Sequence, residues 1–285
     1  MNTPRLTLTA PAKINLGLRV LDRRPDGYHN LITIMQRVSL HDIVTVEYIP
    51  EGIEYQGPVL TDNPEANLCL KAARAFYQEY QTPGGARIHL VKNIPVGAGL
   101  GGGSSDAAAV LLGLAQIHNI DAGRPSFREI ASRLGSDVPF FVKSVSAALV
   151  QERGELMESI TSLNLEKWLT IVWPGFSIYT DWAYQRLDET LTLPIIDDKL
   201  LVRSFSRYRG GVPTPEMRND FEIPVFGAYP QLIQARDGLI EAGAKYAGLT
   251  GSGSGLYGLF DGEAEAKAAA SDFAPSWLSF VCRPC

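Results

Sequence analysis

The stretch PVGAGLGGGSSDAAAV, Pro95 to Val110, decides how the rest of the chain is read. Five of the seven residues from Gly97 to Gly103 are glycine, and an apolar helical pattern follows at once. Glycine tolerates positive φ and carries no side chain, so successive backbone N–H groups can turn into one concave space. The N-terminus of the next helix adds unpaired N–H groups and the positive end of its dipole. Such a loop favours phosphate oxygens, and the hydroxyls of Ser104 and Ser105 suit a phosphate or a metal bound to it. It is not a Walker A loop, because serine rather than lysine follows Gly103. Gly97, Gly99 and Gly102 fit G-x-G-x-x-G, but Lys92, Asn93 and Pro95 interrupt the strand that a dinucleotide fold runs into its first glycine. Asp121 also lacks a strand before it, so a nicotinamide oxidoreductase is the weaker reading.

Upstream of the loop, apolar and polar residues alternate from Leu6 to Ala10 and from Ile14 to Val20, which predicts strands. With Ile14, Leu16, Leu18 and Val20 facing a core, Lys13, Asn15 and Gly17 share the opposite face. RRPDGYHN, residues 23–30, reads as a turn or loop, and Leu31–Leu40 and Asp42–Ile49 as two further strands. A helix is predicted over Asn67–Tyr80 and a short strand over Ile88–Val91. The run Ala107–Ala115 reads as a buried helix, Ser126 and Glu129 as a capping box with Gly135 as the stop, and Ala147–Val150 as a strand.

The less patterned Glu152–Leu165 marks the expected boundary between domains 1–157 and 158–285. Beyond it the pattern gives strands at Leu169–Trp173, Tyr246–Thr250, Leu256–Phe260 and Leu278–Cys282. Helices are expected near Asp181–Leu187, Pro230–Ala242 and Ala264–Ser271. Arg203–Arg218 reads as a long surface loop. The whole is a two-domain α/β (α+β) chain.

Composition narrows the function. The 285 residues are 45% hydrophobic and 20% charged, and 26 basic residues against 31 acidic ones leave a net charge of −5. Non-specific nucleic-acid binding is not expected of such a surface, and no apolar run reaches the roughly 18 residues of a membrane span. No signal-peptide pattern opens the chain, and three cysteines exclude a disulfide framework. Cys282 and Cys285 form a terminal C-x-x-C that lacks the second pair of a zinc site and reads as loose surface thiols. A cytoplasmic protein acting on a small molecule is expected, without nucleic-acid or membrane partners.

The loop, together with APAKINLGL (Ala10–Leu18) and TGSGSG (Thr250–Gly255), resembles the GHMP kinase superfamily in three motifs placed in order over most of the chain. RPDGYH (Arg24–His29) and LGSDVPFF (Leu134–Phe141) resemble its branch that phosphorylates a cytidine-diphosphate-linked methylerythritol in the non-mevalonate route to isoprenoid precursors. The resemblance implies a first domain like ribosomal protein S5 domain 2 and a ferredoxin-like second domain. It also implies ATP and Mg²⁺, with no Mg²⁺ ligand assigned, and a monomer or weak homodimer.

It further implies roles for single residues. Lys13 and Asp137 would be catalytic, the aspartate at the acceptor hydroxyl and the lysine keeping it ionised. Asn15, Tyr28, His29, Thr180 and Tyr184 would bind the substrate, the two tyrosines by stacking on cytosine and His29 at its edge through backbone and imidazole. ATP would contact Asn67, Lys92, Pro95, Val96, Gly97, Ala98, Gly99, Leu100, Gly101, Gly102, Gly103, Ser104 and Ser105. Gly251, Ser252 and Gly253 would bring a second glycine loop to the site from the C-terminal domain. Taken without the resemblance, Lys13 and Asp137 read as surface charges, Tyr28 and His29 as loop residues, Asn67 as a helix cap and Lys92 as a solvated strand end. A nucleotide-binding module without catalysis stands against the kinase, and the presence of both Lys13 and Asp137 favours the kinase.

Overall fold

A computed structural model describes residues 3–61, 63–152, 154, 156–160, 163, 165–190, 198–273 and 275–285. The strands are β1 Arg5–Arg23, β2 His29–Ile49, β3 Ile53–Gln56, β4 Gly85–Val91, β5 Ala147–Glu152, β6 Leu156–Ser159, β7 Trp168–Trp173, β8 Tyr246–Leu249, β9 Leu256–Phe260 and β10 Leu278–Cys282. The helices are α1 Leu68–Tyr80, α2 Gly102–Ile117, α3 Pro125–Leu134, α4 Val138–Val142, α5 Thr180–Thr190, α6 Asp198–Arg207, α7 Glu222–Ala228, α8 Pro230–Glu241 and α9 Glu263–Phe273. Two compact units contain them. The first is Met1–Ala12, His41–Val96 and Gly101–Val145; the second is Lys13–Leu40, Gly97–Leu100 and Ser146–Cys285.

In the first unit, β4 pairs antiparallel with the C-terminal half of β2, from Ile43 opposite Val91 to Ile49 opposite Gly85, and parallel with β3. Helix α1 packs on α2, α2 on α4, and α3 on both α1 and α4. The apolar run in α2 is buried as its pattern demands, with Ala107, Val110, Leu111 and Leu114 in the core. That helix starts at Gly102, five residues before the run Ala107–Ala115, because Gly101 takes the N-cap position at φ 70°. The capping box is not formed. Pro125 opens α3, since proline has no N–H to leave unpaired there, and the Ser126 hydroxyl instead pairs with Tyr80 Oη over 3.1 Å.

In the second unit, β7, α8, β8, β9, α9 and β10 give the β-α-β-β-α-β order of a ferredoxin-like fold, with α5, α6 and α7 inserted between β7 and α8. Their sheet runs β10-β7-β9-β8 with every pair antiparallel. Helix α8 lies against β8 and β9, and α9 against β7, β9 and β10. Val172, Leu239, Leu249, Leu256, Phe260 and Ala266 belong to the resulting core. The N-terminal half of β2 pairs with β5, and β5 with β6.

Arg203–Arg218 is not the expected surface loop. Its first residues complete α6, Pro215–Met217 form a 3₁₀ turn, and Leu201, Phe205, Tyr208 and Met217 are buried. Leu201, Phe205 and Tyr208 stand at i, i+4 and i+7, one helical stripe masked in the sequence by the arginines between them. The segment then joins β1: Leu18 N donates to Arg218 O over 3.2 Å, and Asp220 N donates to Leu18 O over 2.8 Å. Gly17, at φ 83°, lets the chains approach so closely that a Cβ there would stand 2.1 Å from Met217 O. The terminal thiols also differ from expectation, because Cys282 ends β10 in a buried position and only Cys285 is exposed.

Candidate active site

Lys13 and Asn15, expected on a solvated strand face, are 3% and 1% exposed. Both find their hydrogen-bond partners within the second unit. Lys13 Nζ donates to Asn15 Oδ1 over 2.6 Å and to Gly99 O over 2.9 Å. The Asn15 amide nitrogen donates to Thr33 Oγ1, and its backbone N–H to Thr250 Oγ1. Thr250 Oγ1 in turn donates to Gly99 O, so one carbonyl of the glycine loop is gripped by an ammonium and a hydroxyl. The neighbouring carbonyls are held too: Ala98 O accepts from Gly255 N, and Leu100 O from Lys13 N. Three consecutive carbonyls of the loop are thus held by partners in β1 and the second glycine cluster.

The second glycine cluster explains itself in the same unit. A Cβ on Gly99 would lie 2.0 Å from Thr250 O, one on Gly251 2.9 Å from Gly99 O, and one on Gly255 2.5 Å from Ala98 O. The two glycine segments therefore pack backbone against backbone, with no room for side chains between them. Asn219 braces the second from behind, donating to Leu249 O and Gly251 O.

Of the residues expected at the base, the structure brings His29 and Tyr184 together. Their rings stack at 4.9 Å between centroids and 15° between planes. Phe221 supports Tyr184 edge-on at 4.8 Å, and His29 Nε2 lies 2.7 Å from Asp188 Oδ1. Tyr28 precedes them in the loop with 56% of its surface exposed. Thr180 and Ser252 join through their hydroxyls at 3.1 Å.

The first unit holds the other expected ATP residues. Asn67 caps α1, its Oδ1 accepting from Cys69 N over 2.9 Å, as its position before the helix predicts. Lys92 is not a solvated strand end. It is inserted between two buried carboxylates, 2.5 Å from Asp42 Oδ2 and 2.8 Å from Asp106 Oδ2. Asp42 Oδ1 also accepts from the backbone N–H groups of Asn93 and Ile94, which fixes the chain entering the glycine loop. Burial acts to lower the Lys92 ammonium, but the two carboxylates outweigh it and hold it above its ordinary value. Burial, reinforced by Asp42, pushes the Asp106 carboxyl up to about 7 against the pull of Lys92. Gly102 must be small here, since its Cβ would stand 2.8 Å from Lys92 Nζ. Ser105 Oγ is buried with no hydrogen-bond partner among the described residues, an orphan that a phosphate oxygen would satisfy. Asp137 sits half-buried immediately before α4, its side chain making no cap bond to that helix.

Asp42, Asp106 and Asp188, like Thr33 and Asn219, are polar residues here that the sequence pattern does not single out. Asp106 carried a signal: it is the one charge in the otherwise uncharged run from Gly97 to Ala115. Asp42 and Asp188 carried none, because their partners lie 50 and 159 positions away.

The pattern of the GHMP kinases N terminal domain matches residues 67–144, and that of the GHMP kinases C terminal domain residues 215–277. The 4-diphosphocytidyl-2-C-methyl-D-erythritol kinase of Prosthecochloris aestuarii is 38% identical over 274 residues, covering 95% of each chain. That of Chlorobium chlorochromatii is 41% identical over 261 residues, 90% of this chain and 89% of its own. A crystal structure of 4-(cytidine 5'-diphospho)-2C-methyl-D-erythritol kinase superposes with a TM-score of 0.81 at 33% identity, covering 97% of this chain and 98% of the other. The mevalonate kinase of Methanococcus jannaschii shares the fold alone, with a TM-score of 0.71 at 14% identity over 99% and 98% of the two chains. The chain belongs to the GHMP kinases and, within that class, to the family of the 4-diphosphocytidyl-2-C-methyl-D-erythritol kinases.

Proposed function

We propose that this protein transfers the γ-phosphoryl group of ATP to the 2-hydroxyl of 4-diphosphocytidyl-2-C-methyl-D-erythritol, in the non-mevalonate (methylerythritol phosphate) route to isoprenoid precursors. The observation that carries this reading is the buried Lys13 ammonium, held against the glycine loop by Asn15 Oδ1 and Gly99 O. A positive charge so fixed needs no reorganisation when negative charge moves through its neighbourhood.

In this reading the loop from Pro95 to Ser105 holds the triphosphate through backbone N–H groups and the Ser105 hydroxyl, with Asn67 and Lys92 toward the adenosine end. The acceptor oxygen attacks the γ-phosphorus, the bond to the ADP oxygen breaks, and the hydroxyl proton passes to Asp137. Lys13 offsets charge on the moving group, and Asn15 orients the tetritol. Tyr28 and Tyr184 flank the cytosine, His29 meets its edge, and Thr180 with the Gly251–Ser252–Gly253 segment completes the pocket. A base hydrogen-bonded edge to edge with the His29 imidazole lies in that ring's plane. The plane is within 15° of Tyr184, so edge contact and stacking on the tyrosine are compatible.

Mg²⁺ belongs to the same proposal. No protein ligand is assigned to it, and among the described residues no group of three or more His, Cys, Asp or Glu could hold a metal. When bound it neutralises charge on the β- and γ-phosphates. Among the described residues no helix is long and apolar enough to cross a membrane. The reading sets the reaction in the cytoplasm, where ATP is available, and keeps the division into domains 1–157 and 158–285.

A coupled ADP-release assay with Mg-ATP on diphosphocytidyl methylerythritol, mevalonate and homoserine tests it. Turnover on the first alone is expected. Turnover on either of the others would discard the cytosine pocket, and none on any would discard the kinase reading.

A further inference from the structure

Helix α5 presents two side chains to one imidazole. Tyr184 and Asp188 stand at i and i+4, one above the other on the same helix face. Tyr184 covers a face of the His29 ring, and Asp188 Oδ1 meets its Nε2 at 2.7 Å. The other Asp188 oxygen lies 3.7 Å from Arg23 Nη1 at the end of β1. Among the described residues, Asp188 is the only hydrogen-bond partner of the imidazole, whose side chain is 8% exposed. A ring this enclosed, held by face and edge, has one orientation.

We propose that Asp188 is a positioning residue that fixes the tautomer of His29 and so makes the site select cytosine over uracil. The inference rests on the reading above, in which His29 faces the base. An ionised carboxylate only accepts, so the hydrogen shared with Asp188 is on Nε2. In the neutral ring Nδ1 then carries a lone pair and no proton. A lone pair at the base edge is matched by the exocyclic amino group of cytosine. Uracil has a carbonyl oxygen at that position, so two acceptors would face each other without a proton between them. Sites built to pair with a particular donor reject analogues lacking it strongly, because their own polar group is left unpaired. Discrimination between two bases of the same shape would thus be set by a residue that touches neither.

The test compares the cytidine-linked acceptor with a synthetic uridine-linked one in the unaltered enzyme, Asp188→Asn and Asp188→Lys. The amide can accept from or donate to Nε2, which relaxes the tautomer, whereas the ammonium only donates and forces the proton onto Nδ1. The unaltered enzyme is expected to favour the cytidine-linked acceptor by at least about 100-fold in kcat/KM. Asp188→Asn should lower that preference about tenfold, and Asp188→Lys should abolish or reverse it. Losses common to both acceptors, such as a changed charge near the diphosphate, cancel in the ratio. Ring ¹⁵N shifts of His29, read without substrate, should show the proton on Nε2 in the unaltered enzyme and on Nδ1 in Asp188→Lys.

A preference unchanged in both variants overturns the proposal, as does a ring protonated on both nitrogens at the assay pH. If the unaltered enzyme turns over neither acceptor, the kinase reading fails and the specificity role with it. That outcome differs from a working enzyme whose preference ignores Asp188.

Discussion

Arg19 and Asp220 lie 201 positions apart and form an ion pair with side chains 4% and 0% exposed, the Arg19 Nε–H shared between both carboxylate oxygens at 2.9 and 3.0 Å. Arg19 also donates to Glu216 O, and Asp220 Oδ2 accepts from Val20 N. The pair fastens the segment after the Pro215–Met217 turn to β1, four residues along from Asn15. Asn219, next to Asp220, carries the brace of the second glycine loop. A structural bond far along the chain is thereby tied to the loop that grips Gly99.

Removing one partner from this pair leaves the other charge buried. Asp220→Ala should cost about 3–5 kcal/mol, read as a lower urea midpoint. Replacing both residues with apolar ones of similar size, Arg19→Met with Asp220→Leu, should cost less than the single change. A double variant less stable than Asp220→Ala would show that the hydrogen bonds to Glu216 O and Val20 N, and not the unpaired charge, set the penalty.

Two variants separate the catalytic roles. Asp137→Asn should leave ATP binding nearly intact and lower kcat at least about 100-fold, the scale of a positioned base. Lys13→Met should lower kcat by about 100- to 1,000-fold, as loss of one preorganised charge does elsewhere. Kinetics with the nucleotide affinity measured separately check both. Turnover of the Asp137→Asn variant at the unaltered rate would remove Asp137 from the chemistry.

The elements set by local pattern were legible in the sequence. The β-α-β-β-α-β half, the Asn67 cap and the apolar α2 depend on residues close along the chain, where periodicity and capping chemistry speak directly. What escaped was set by distant partners. Lys13 alternates with apolar neighbours and so reads as solvent-facing, yet it is buried and bonded to Asn15 Oδ1 and Gly99 O. Lys92 looks like a strand end until Asp42 and Asp106 close around it. The stripe of Leu201, Phe205 and Tyr208 was obscured by arginines, and Ser126 lost its cap position to the proline before it.

The Lys92 pair carries a pH signature. With its pKa raised to about 7 from an ordinary value near 3.8, Asp106 keeps its proton in the folded protein after the unfolded chain has lost it. Stability from this group is fully present below the unfolded pKa and is lost as pH rises toward 7. Asp106→Asn does not titrate, so its stability relative to the unaltered protein should increase between pH 4 and pH 7 and then level off. Urea unfolding of both proteins at pH 4.5, 6 and 8 measures that difference. A difference independent of pH would mean that Asp106 is ionised throughout.

Gly99 and Gly102 belong to one loop but should respond differently to a methyl group. At Gly99, φ is 73° and the new Cβ would meet Thr250 O at 2.0 Å, a backbone atom that cannot move without dragging the second glycine loop along. At Gly102 the obstruction is Lys92 Nζ at 2.8 Å, the far end of a flexible side chain, with Ile94 Cγ2 next at 3.0 Å. Gly99→Ala therefore combines backbone strain of about 1–3 kcal/mol with a collision that forces the two glycine segments apart. It should lower the thermal midpoint and remove most ATP binding. Gly102→Ala should keep the midpoint within a few degrees and raise the KM for ATP several-fold, because Lys92 has to leave its place between Asp42 and Asp106. Thermal unfolding and ATP titration of the two variants side by side give the answer. Equal effects at both positions would mean that the contact of Gly99 with Thr250 has no more influence on the loop than the contact of Gly102 with Lys92.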